Sequence, residues 1–122
     1  MRTLLLILFF VIQTPKVEVL DKPQYKRMVS KGFTIIDVRT SEEFEEGHIA
    51  GALNINVKSE EFIAEIENLS KSDTLLVYCR SGRRSLYAAQ VMVSFGFQKI
   101  YDLEGGLSKW EHSKILNIEK KS

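Results

Sequence analysis

The sequence predicts a single α/β domain with a mostly parallel five-stranded sheet and helices on both faces of it. Three observations support this fold class. The chain has 122 residues, enough for one compact domain and too few for two. Its composition, 44% hydrophobic and 27% charged, is typical of a chain that folds around a core. From residue 15 onward, short apolar runs alternate with helical stretches, which favours parallel strands connected by helices.

The first fourteen residues differ in composition from the domain that we expect over residues 15–122. Arg2 precedes the apolar run Leu4–Ile12, and Pro15 follows shortly after, a pattern typical of a secretory signal. The nine residues of this run are too few for a bilayer-spanning helix, which needs about 20. We therefore expect no transmembrane helix and an exported protein, with an uncleaved interfacial anchor as a variant. A buried edge strand in a cytoplasmic protein is the alternative.

Three strands are predicted in the first half of the domain. They are the β-rich runs Val17–Leu20, Phe33–Ile36 and Ala52–Ile55. After the first strand, Asp21 is a candidate N-cap for a helix over Lys22–Ser30, which Gly32 ends. After the second strand, Ser41 is a candidate N-cap for a helical turn that stops at Gly47.

The second half of the domain continues the alternation of helices and strands. Ser59 is a candidate N-cap for a helix with one apolar and one acidic face. The continuous apolar run Leu75–Tyr78 is expected to be a central strand covered on both faces. In the segment Ser85–Phe95, apolar residues occupy nearly every face of a helix, which predicts a well-buried helix. The final predicted elements are a strand at Lys99–Tyr101, a turn at Gly105 and Gly106, and a short helix around Trp110.

The charge and the cysteine count exclude several kinds of site. A net charge of +1, from 17 basic and 16 acidic residues, gives no reason to expect nucleic acid or an anionic membrane as partner. The acidic residues between Asp37 and Glu67 are expected on solvated helix faces. Cys79 is the only cysteine, so it cannot form an intrachain disulfide or a structural zinc or iron–sulfur site. We expect neither a metal nor a cofactor.

Cys79 stands at the end of the predicted central strand, and the loop Arg80–Arg84 connects it to the next helix. Ligands gather at the carboxyl ends of strands in such sheets, where Asp37 also lies. Gly82 lets the loop turn its N–H groups inward. These amides, the helix N-terminus and the arginines would together favour a thiolate over a thiol. A thiol packed as a small apolar residue, with the arginines in solvent, is the alternative.

The segment YCRSGRRS, Tyr78–Ser85, resembles the active-site loop of the rhodanese family of sulfurtransferases. In that family a cysteine opens a six-residue loop of the form C-R-x-G-x-R or C-R-x-G-x-T, and Cys79–Arg84 matches every position. Ile35–Ile55 is similar to the family's Asp-x-Arg and Gly-His-Ile segments, and Glu104–Trp110 to its Gly-Gly-x-x-x-Trp ending. Order and spacing agree over about Val17–Trp110, so the resemblance implies a rhodanese-like fold.

The resemblance also implies a function. Cys79 would accept a sulfane sulfur from thiosulfate or a similar small anion, become a persulfide, and pass the sulfur to cyanide or a thiol, including a thiol on an acceptor protein. The residues expected to bind the donor and the persulfide are Arg80, Ser81, Gly82, Arg83 and Arg84. The arginines would attract and orient the anion, and the loop amides would hold the charged persulfide.

Six further residues in the matching segments are expected to have roles outside the chemistry itself, and two of these, Asp37 and Arg39, are expected to support the site. Asp37 and Arg39 are expected to pair and to fix the loop beneath the site, or to orient an active-site arginine. His48 is expected to hydrogen-bond to nearby backbone, because persulfide transfer needs no general base. The Gly105–Gly106 pair and Trp110 are expected to be turn and packing residues.

Two other functions fit parts of the pattern. Cysteine phosphatases, and arsenate reductases with similar chemistry, need Cys-x-x-x-x-x-Arg, but the position that requires arginine is Ser85 here. The shorter loop should fit one extra sulfur better than a phosphoryl group. A non-catalytic interaction module, or a sulfur carrier that serves a partner protein, would use the same scaffold. Interaction modules of this kind usually lack the cysteine, which this chain retains.

Overall fold

The structure is a computed structural model that describes residues 3–7, 16–110 and 118–119. Its strands are β1 (Lys16–Leu20), β2 (Thr34–Asp37), β3 (His48–Ile49), β4 (Leu53–Asn54), β5 (Thr74–Tyr78), β6 (Lys99–Leu103) and β7 (Ile118–Glu119). Its helices are α1 (Lys22–Ser30), α2 (Ser41–Glu46), α3 (Phe62–Glu67), α4 (Arg83–Ser94) and a 3-10 helix at Gly106–Lys109.

Five strands form one parallel sheet in the order β1-β6-β5-β2-β4. The predicted central strand is confirmed, since β5 lies in the middle and Leu75–Tyr78 are all buried. A separate antiparallel pair, β3 with β7, was not predicted. Strands of two residues are too short for an alternation of apolar and polar residues, which is the sequence pattern that predicts a strand.

The sheet carries a hydrophobic cluster on each face, and the prediction of helices on both faces is confirmed. Leu75 and Val77 of β5 face one cluster, which also contains Phe62 of α3 and Met92 of α4. Leu76 and Tyr78 alternate with them and face the other cluster. That second cluster contains residues of α1, α2 and the 3-10 helix: Tyr25, Phe44 and Leu107. Such alternation across a strand is the normal consequence of the pleat.

The predicted N-cap of α1 is confirmed, whereas that of α2 is wrong by one residue. Asp21 accepts a hydrogen bond from the Gln24 amide, and the Gln24 side chain accepts one from the Asp21 amide. The N-cap of α2 is Thr40 instead of Ser41. Thr40 is followed three positions later by Glu43, so the two can form a reciprocal capping box. Three positions after Ser41 stands Phe44, whose side chain cannot accept a hydrogen bond from the Ser41 amide.

Ser59 also does not cap a helix as predicted. The residue before α3 is Glu61, which makes no side-chain capping bond. The Ser59 hydroxyl accepts a hydrogen bond from the Glu61 amide at 3.1 Å, so it closes the turn that precedes the helix. A serine hydroxyl can bond its backbone two residues ahead as readily as it caps a helix, and here the local turn is formed.

The helix after the cysteine loop is longer and less buried than predicted. It begins at Arg83, and its buried residues are Ser85, Ala88, Ala89 and Met92. Leu86 and Tyr87 are 39% and 60% exposed, which corrects the expectation of a helix buried nearly all round. One face of α4 covers the sheet, and the rest of the helix surface stays in solvent.

The predicted signal, residues 1–14, falls mostly outside the described residues, which include only 3–7 of it. The side chains of Leu4, Leu5, Leu6 and Ile7 are exposed, so these four do not form a buried edge strand. Export stays a prediction. Within the described residues, no helix is both long and apolar enough to cross a membrane.

Candidate active site

The carboxyl ends of three adjacent strands bring the predicted site residues together. β6, β5 and β2 are neighbours in the sheet. Asp37 ends β2, Cys79 follows β5, and Gly105 and Gly106 come just after β6. Since parallel strands end at one edge, three distant motifs of the sequence meet there.

The sulfur of Cys79 accepts hydrogen bonds from two backbone amides of its loop. The Gly82 amide donates to Sγ at 3.1 Å and the Ser85 amide at 3.4 Å. The Ser85 hydroxyl oxygen lies 3.3 Å from the same sulfur. Gly82 has a φ of 98°, a left-handed conformation that a side chain would strain, and this turn directs its N–H toward the sulfur. Cys79 is fully buried, and the loop donors are aimed at the atom that would carry negative charge.

Glu43 is the main partner of the loop arginines, although Cys79 is among the groups that raise the pKa of Arg84. Among the described residues, no arginine hydrogen-bonds to Sγ of Cys79. Arg84 instead donates to Glu43 of α2, with Nη1–Oε1 at 2.6 Å and Nη2–Oε2 at 2.9 Å. Arg80 makes a longer contact to the same carboxylate, 3.4 Å from Nε to Oε2. Arg83 and Ser81 are exposed.

Glu43 is a site residue that the sequence analysis missed. Its hydrogen bonds with Arg84 lower the pKa of the Glu43 carboxyl to about 2, and the same contact raises the pKa of Arg84. The carboxylate of Glu43 therefore partly compensates the positive charge of Arg84 beside the cysteine loop. The Thr40-x-x-Glu43 capping pattern was the signal in the sequence, because it fixes Glu43 in the first turn of α2.

Asp37 and Arg39 form a buried ion pair below the loop. Arg39 Nη2 lies 2.6 Å from Asp37 Oδ2, and the two residues are 3% and 0% exposed. The same nitrogen donates to the Gly47 carbonyl at 2.7 Å, so the pair connects the end of β2 to the end of α2. The expected pairing is present. No contact of this pair with the sulfur or with a loop arginine is found among the described residues, which fits the supporting role.

His48 is bound to backbone, as expected. Its Nδ1 lies 2.8 Å from the carbonyl oxygen of Phe44, and its ring stacks on the Phe44 ring with a centroid distance of 3.6 Å. These contacts fix the end of α2.

The Gly105–Gly106 turn does more than end β6. The Leu107 amide donates to the Cys79 carbonyl at 2.9 Å, and the Ser108 amide to the Arg80 carbonyl at 2.8 Å. A Cβ on Gly106 would lie 2.5 Å from the Cys79 carbonyl oxygen. The 3-10 helix therefore holds the cysteine loop from behind, and only glycine at 106 permits so close an approach.

The sequence model of the rhodanese-like domain matches residues 21–113, more than half of the chain. The chain belongs to the rhodanese family. It is 34% identical to thiosulfate sulfurtransferase 18 of Arabidopsis thaliana, over 82% of this chain and 83% of that protein. It is 33% identical to thiosulfate sulfurtransferase GlpE of Stutzerimonas stutzeri, over 79% of this chain and 86% of that protein.

Solved structures agree with this family assignment. The crystal structure of a rhodanese-related protein from Thermoplasma volcanium superposes with a TM-score of 0.73 at 25% identity. The superposition covers 85% of this chain and 99% of that one. The rhodanese-like fold, predicted from the alternation of elements and the loop motif, is confirmed.

Proposed function

We propose that this rhodanese domain is a sulfurtransferase. Its donor is thiosulfate or a closely similar anion, and Cys79 is the residue that holds the transferred sulfur as a persulfide. The observation that carries the proposal is the position of the Cys79 sulfur, which faces two inward amides at the carboxyl edge of the sheet. Relatives of about one-third identity that are named thiosulfate sulfurtransferase support the same donor.

The reaction takes place in two steps on one sulfur atom. In the first, the Cys79 thiolate attacks the outer sulfur of thiosulfate. A new S–S bond forms, the S–S bond of the donor breaks, and sulfite leaves with the electron pair. In the second, cyanide or a thiolate attacks the outer sulfur of the persulfide. Thiocyanate or a new persulfide leaves, and the electron pair of the broken bond restores the Cys79 thiolate.

Both steps begin and end with negative charge near Sγ, where the amides of Gly82 and Ser85 are placed to stabilise it. These donors are already oriented in the folded loop, so no reorganisation is needed when the charge develops. Arg83, at the start of α4, and Arg80, whose contact with Glu43 is the longer one at 3.4 Å, are both exposed and supply positive potential for an incoming dianion. Arg84 contributes less, because Glu43 offsets its charge.

The direct test is the intact mass of the protein after incubation with thiosulfate. We expect a gain of one sulfur atom that cyanide removes, together with steady release of thiocyanate. Cys79→Ser should show neither the gain nor the release, and Ser94→Ala, at an exposed position far along α4, is a control that should behave as wild type. Thiocyanate formation by Cys79→Ser at the wild-type rate would overturn the proposal.

The same preparation separates the three alternative functions. Hydrolysis of an aryl phosphate faster than sulfur transfer would favour phosphatase chemistry, although the position that requires arginine is Ser85. A protein that takes up one sulfur but releases it to protein thiols and not to cyanide would be a sulfur carrier. A protein that takes up none would be an interaction module.

A further inference from the structure

The solvent-exposed side of α4 is apolar at the end next to Cys79 and polar farther along. Leu86 and Tyr87 are 39% and 60% exposed, whereas the later exposed positions of the helix are Gln90 and Ser94. Neither Leu86 nor Tyr87 belongs to the hydrophobic clusters on the two faces of the sheet. Their contact with water is a cost that a partner surface could remove.

The other exposed apolar side chains of the folded domain stand singly. Within residues 16–110, the remaining large ones are Val19 and Leu53, which lie on β1 and β4, at opposite edges of the sheet. Single apolar side chains on a surface are normal and need no explanation. Leu86 and Tyr87 are different, because they are adjacent to each other and come directly after the cysteine loop.

Leu86 and Tyr87 lie close to the reactive sulfur. The residue before them is Ser85, whose amide nitrogen is 3.4 Å from Sγ of Cys79. A helix rises about 1.5 Å per residue, so both apolar residues are within one turn of that contact. Cys79 is fully buried, so a protein that brings its own sulfur to Sγ must touch the surface around the loop.

Arg83 adds positive charge beside the two apolar residues. Residues three and four positions apart are neighbours on a helix, so Arg83 lies next to both Leu86 and Tyr87. The Arg83 side chain is exposed and forms no hydrogen bond or ion pair with another described residue. Arg80, also exposed, has only the 3.4 Å contact with Glu43. The charge available to a partner here is therefore positive.

We propose that Arg83, Leu86 and Tyr87, which together form the α4 surface, dock a protein segment in which apolar and acidic residues flank a sulfur-accepting cysteine. Tyrosine and arginine are enriched at protein interfaces, and apolar residues of the segment would cover Leu86. Acidic residues of the segment complement Arg83 and the nearby Arg80. The surface is small, which suits a complex that forms and dissociates in every cycle.

This inference rests on the proposed function, which supplies the persulfide on Cys79. The cysteine thiolate of the docked segment attacks the outer sulfur of that persulfide. A new S–S bond forms on the partner, the S–S bond at Cys79 breaks, and its electron pair stays on Sγ as the thiolate. The partner's thiol gives its proton to water, and the step consumes no oxidant or reductant.

The first test measures docking without chemistry. The probe is a short fluorescent peptide with a central serine, apolar residues on either side of it and glutamates outside them, and anisotropy gives its Kd. We expect Leu86→Ser and Tyr87→Ser each to raise the Kd about tenfold. Glutamines in place of the glutamates should raise it about fivefold in the wild type. Leu53→Ser, the same change at an exposed position of β4, is the matched control and should bind as wild type.

The second test measures sulfur transfer in a single turnover. Inorganic polysulfide loads Cys79, intact mass verifies the persulfide, and the same peptide with a central cysteine accepts the sulfur. For each variant, the rate with the peptide is divided by the rate with cyanide, which is too small to need the α4 surface. This ratio should fall about tenfold in Leu86→Ser and Tyr87→Ser and stay at the wild-type value in Leu53→Ser.

Several results would overturn the inference. One is a Kd or a rate ratio that Leu86→Ser and Tyr87→Ser leave unchanged, and another is equal affinity for the glutamate and glutamine peptides. Binding to phosphatidylglycerol vesicles that Tyr87→Ser abolishes would assign the α4 surface to a membrane. A dimer that Tyr87→Ser dissociates in sedimentation would assign it to a second copy of this chain.

The docking proposal and the proposed function fail separately. If cyanide takes sulfur from Cys79 but the peptides do not bind, the function stands and the docking surface is refuted. If the serine peptide binds at the α4 surface but neither thiosulfate nor polysulfide loads Cys79, the surface stands and the sulfurtransferase function is refuted. Loading by polysulfide alone would refute only the proposed donor.

Discussion

The Glu43 carboxylate and the Arg84 guanidinium form a two-point ion pair between α2 and the first turn of α4, with the shorter contact at 2.6 Å. Because Glu43 also belongs to the capping box of α2, its position is set by local structure and does not depend on the loop arginines. Arg84 is therefore already paired with a carboxylate beside the cysteine loop, and an anion that bound Arg84 would have to compete with Glu43.

Glu43→Gln should release Arg84 for the donor. We expect the KM for thiosulfate to fall about fivefold, the effect of about 1 kcal/mol of recovered attraction, with a stronger dependence on salt. Steady-state kinetics at two ionic strengths measure both effects. Glu42→Gln, at the exposed neighbouring position, is the matched control and should leave the KM unchanged. A rise in KM would show that Glu43 is needed to orient Arg84 for the substrate.

The sequence predicted the sheet and the cysteine loop because these depend on local signals. The apolar run Leu75–Tyr78 is typical of a covered central strand, and the left-handed turn at Gly82 favours a glycine. Both signals lie within a few residues of the structure that they determine. The family resemblance rested on the loop motif Cys79–Arg84 and on two further segments, Ile35–Ile55 and Glu104–Trp110, and the family model confirms it.

What the sequence did not predict depends on contacts between segments far apart. Glu43 and Arg84 are 41 positions apart, so the acidic residue had the appearance of ordinary solvated surface until the fold joined them. Asp102 sits at a strand position where either face would be possible, and only packing under α4 buries it. The Thr40 cap was within reach of a local argument and was missed because two hydroxyl residues stand side by side.

Asp102→Asn should stabilise the protein at neutral pH. The folded carboxyl loses its proton near pH 6 and the unfolded one near 3.8, so ionisation works against folding as pH rises through this interval. The loss of folding stability caused by ionised Asp102 is fully present above pH 6 and is at most about 3 kcal/mol. Urea unfolding at pH 4 and 7.5 should show a gain for the variant that is large only at pH 7.5. Equal gains at both values, or a loss at pH 7.5, would contradict the raised pKa.

Asp37→Asn should destabilise the protein strongly. The substitution removes the carboxylate that pairs with Arg39, and Arg39 is itself buried, with 3% of its surface exposed. Breaking a buried pair by removing one partner costs about 3–5 kcal/mol. Chemical denaturation measures the loss, and Asp73→Asn, the same change at an exposed site, should cost little. A loss below 1 kcal/mol would mean that the Gly47 carbonyl and the Tyr78 ring are sufficient partners for Arg39.

Gly106→Ala tests whether the 3-10 helix holds the cysteine loop. A Cβ at this position would lie 2.5 Å from the Cys79 carbonyl oxygen and 2.6 Å from that of Arg80, so the two segments must separate. Separation breaks the hydrogen bonds from Leu107 and Ser108 that position the loop. We expect kcat for sulfur transfer to fall at least tenfold in protein that is still folded, because the amides at Sγ lose their alignment.

Gly51→Ala is the matched control for that substitution. Gly51 has a φ of 83° and nothing within 4 Å of the added Cβ, so it shares the backbone strain of position 106 without the clash. The strain alone costs about 1–2 kcal/mol of stability and should leave kcat unchanged. Equal losses of activity in both variants would mean that left-handed strain, and not contact with the loop, accounts for the effect. Full activity of Gly106→Ala would show that the loop keeps its shape without support from behind.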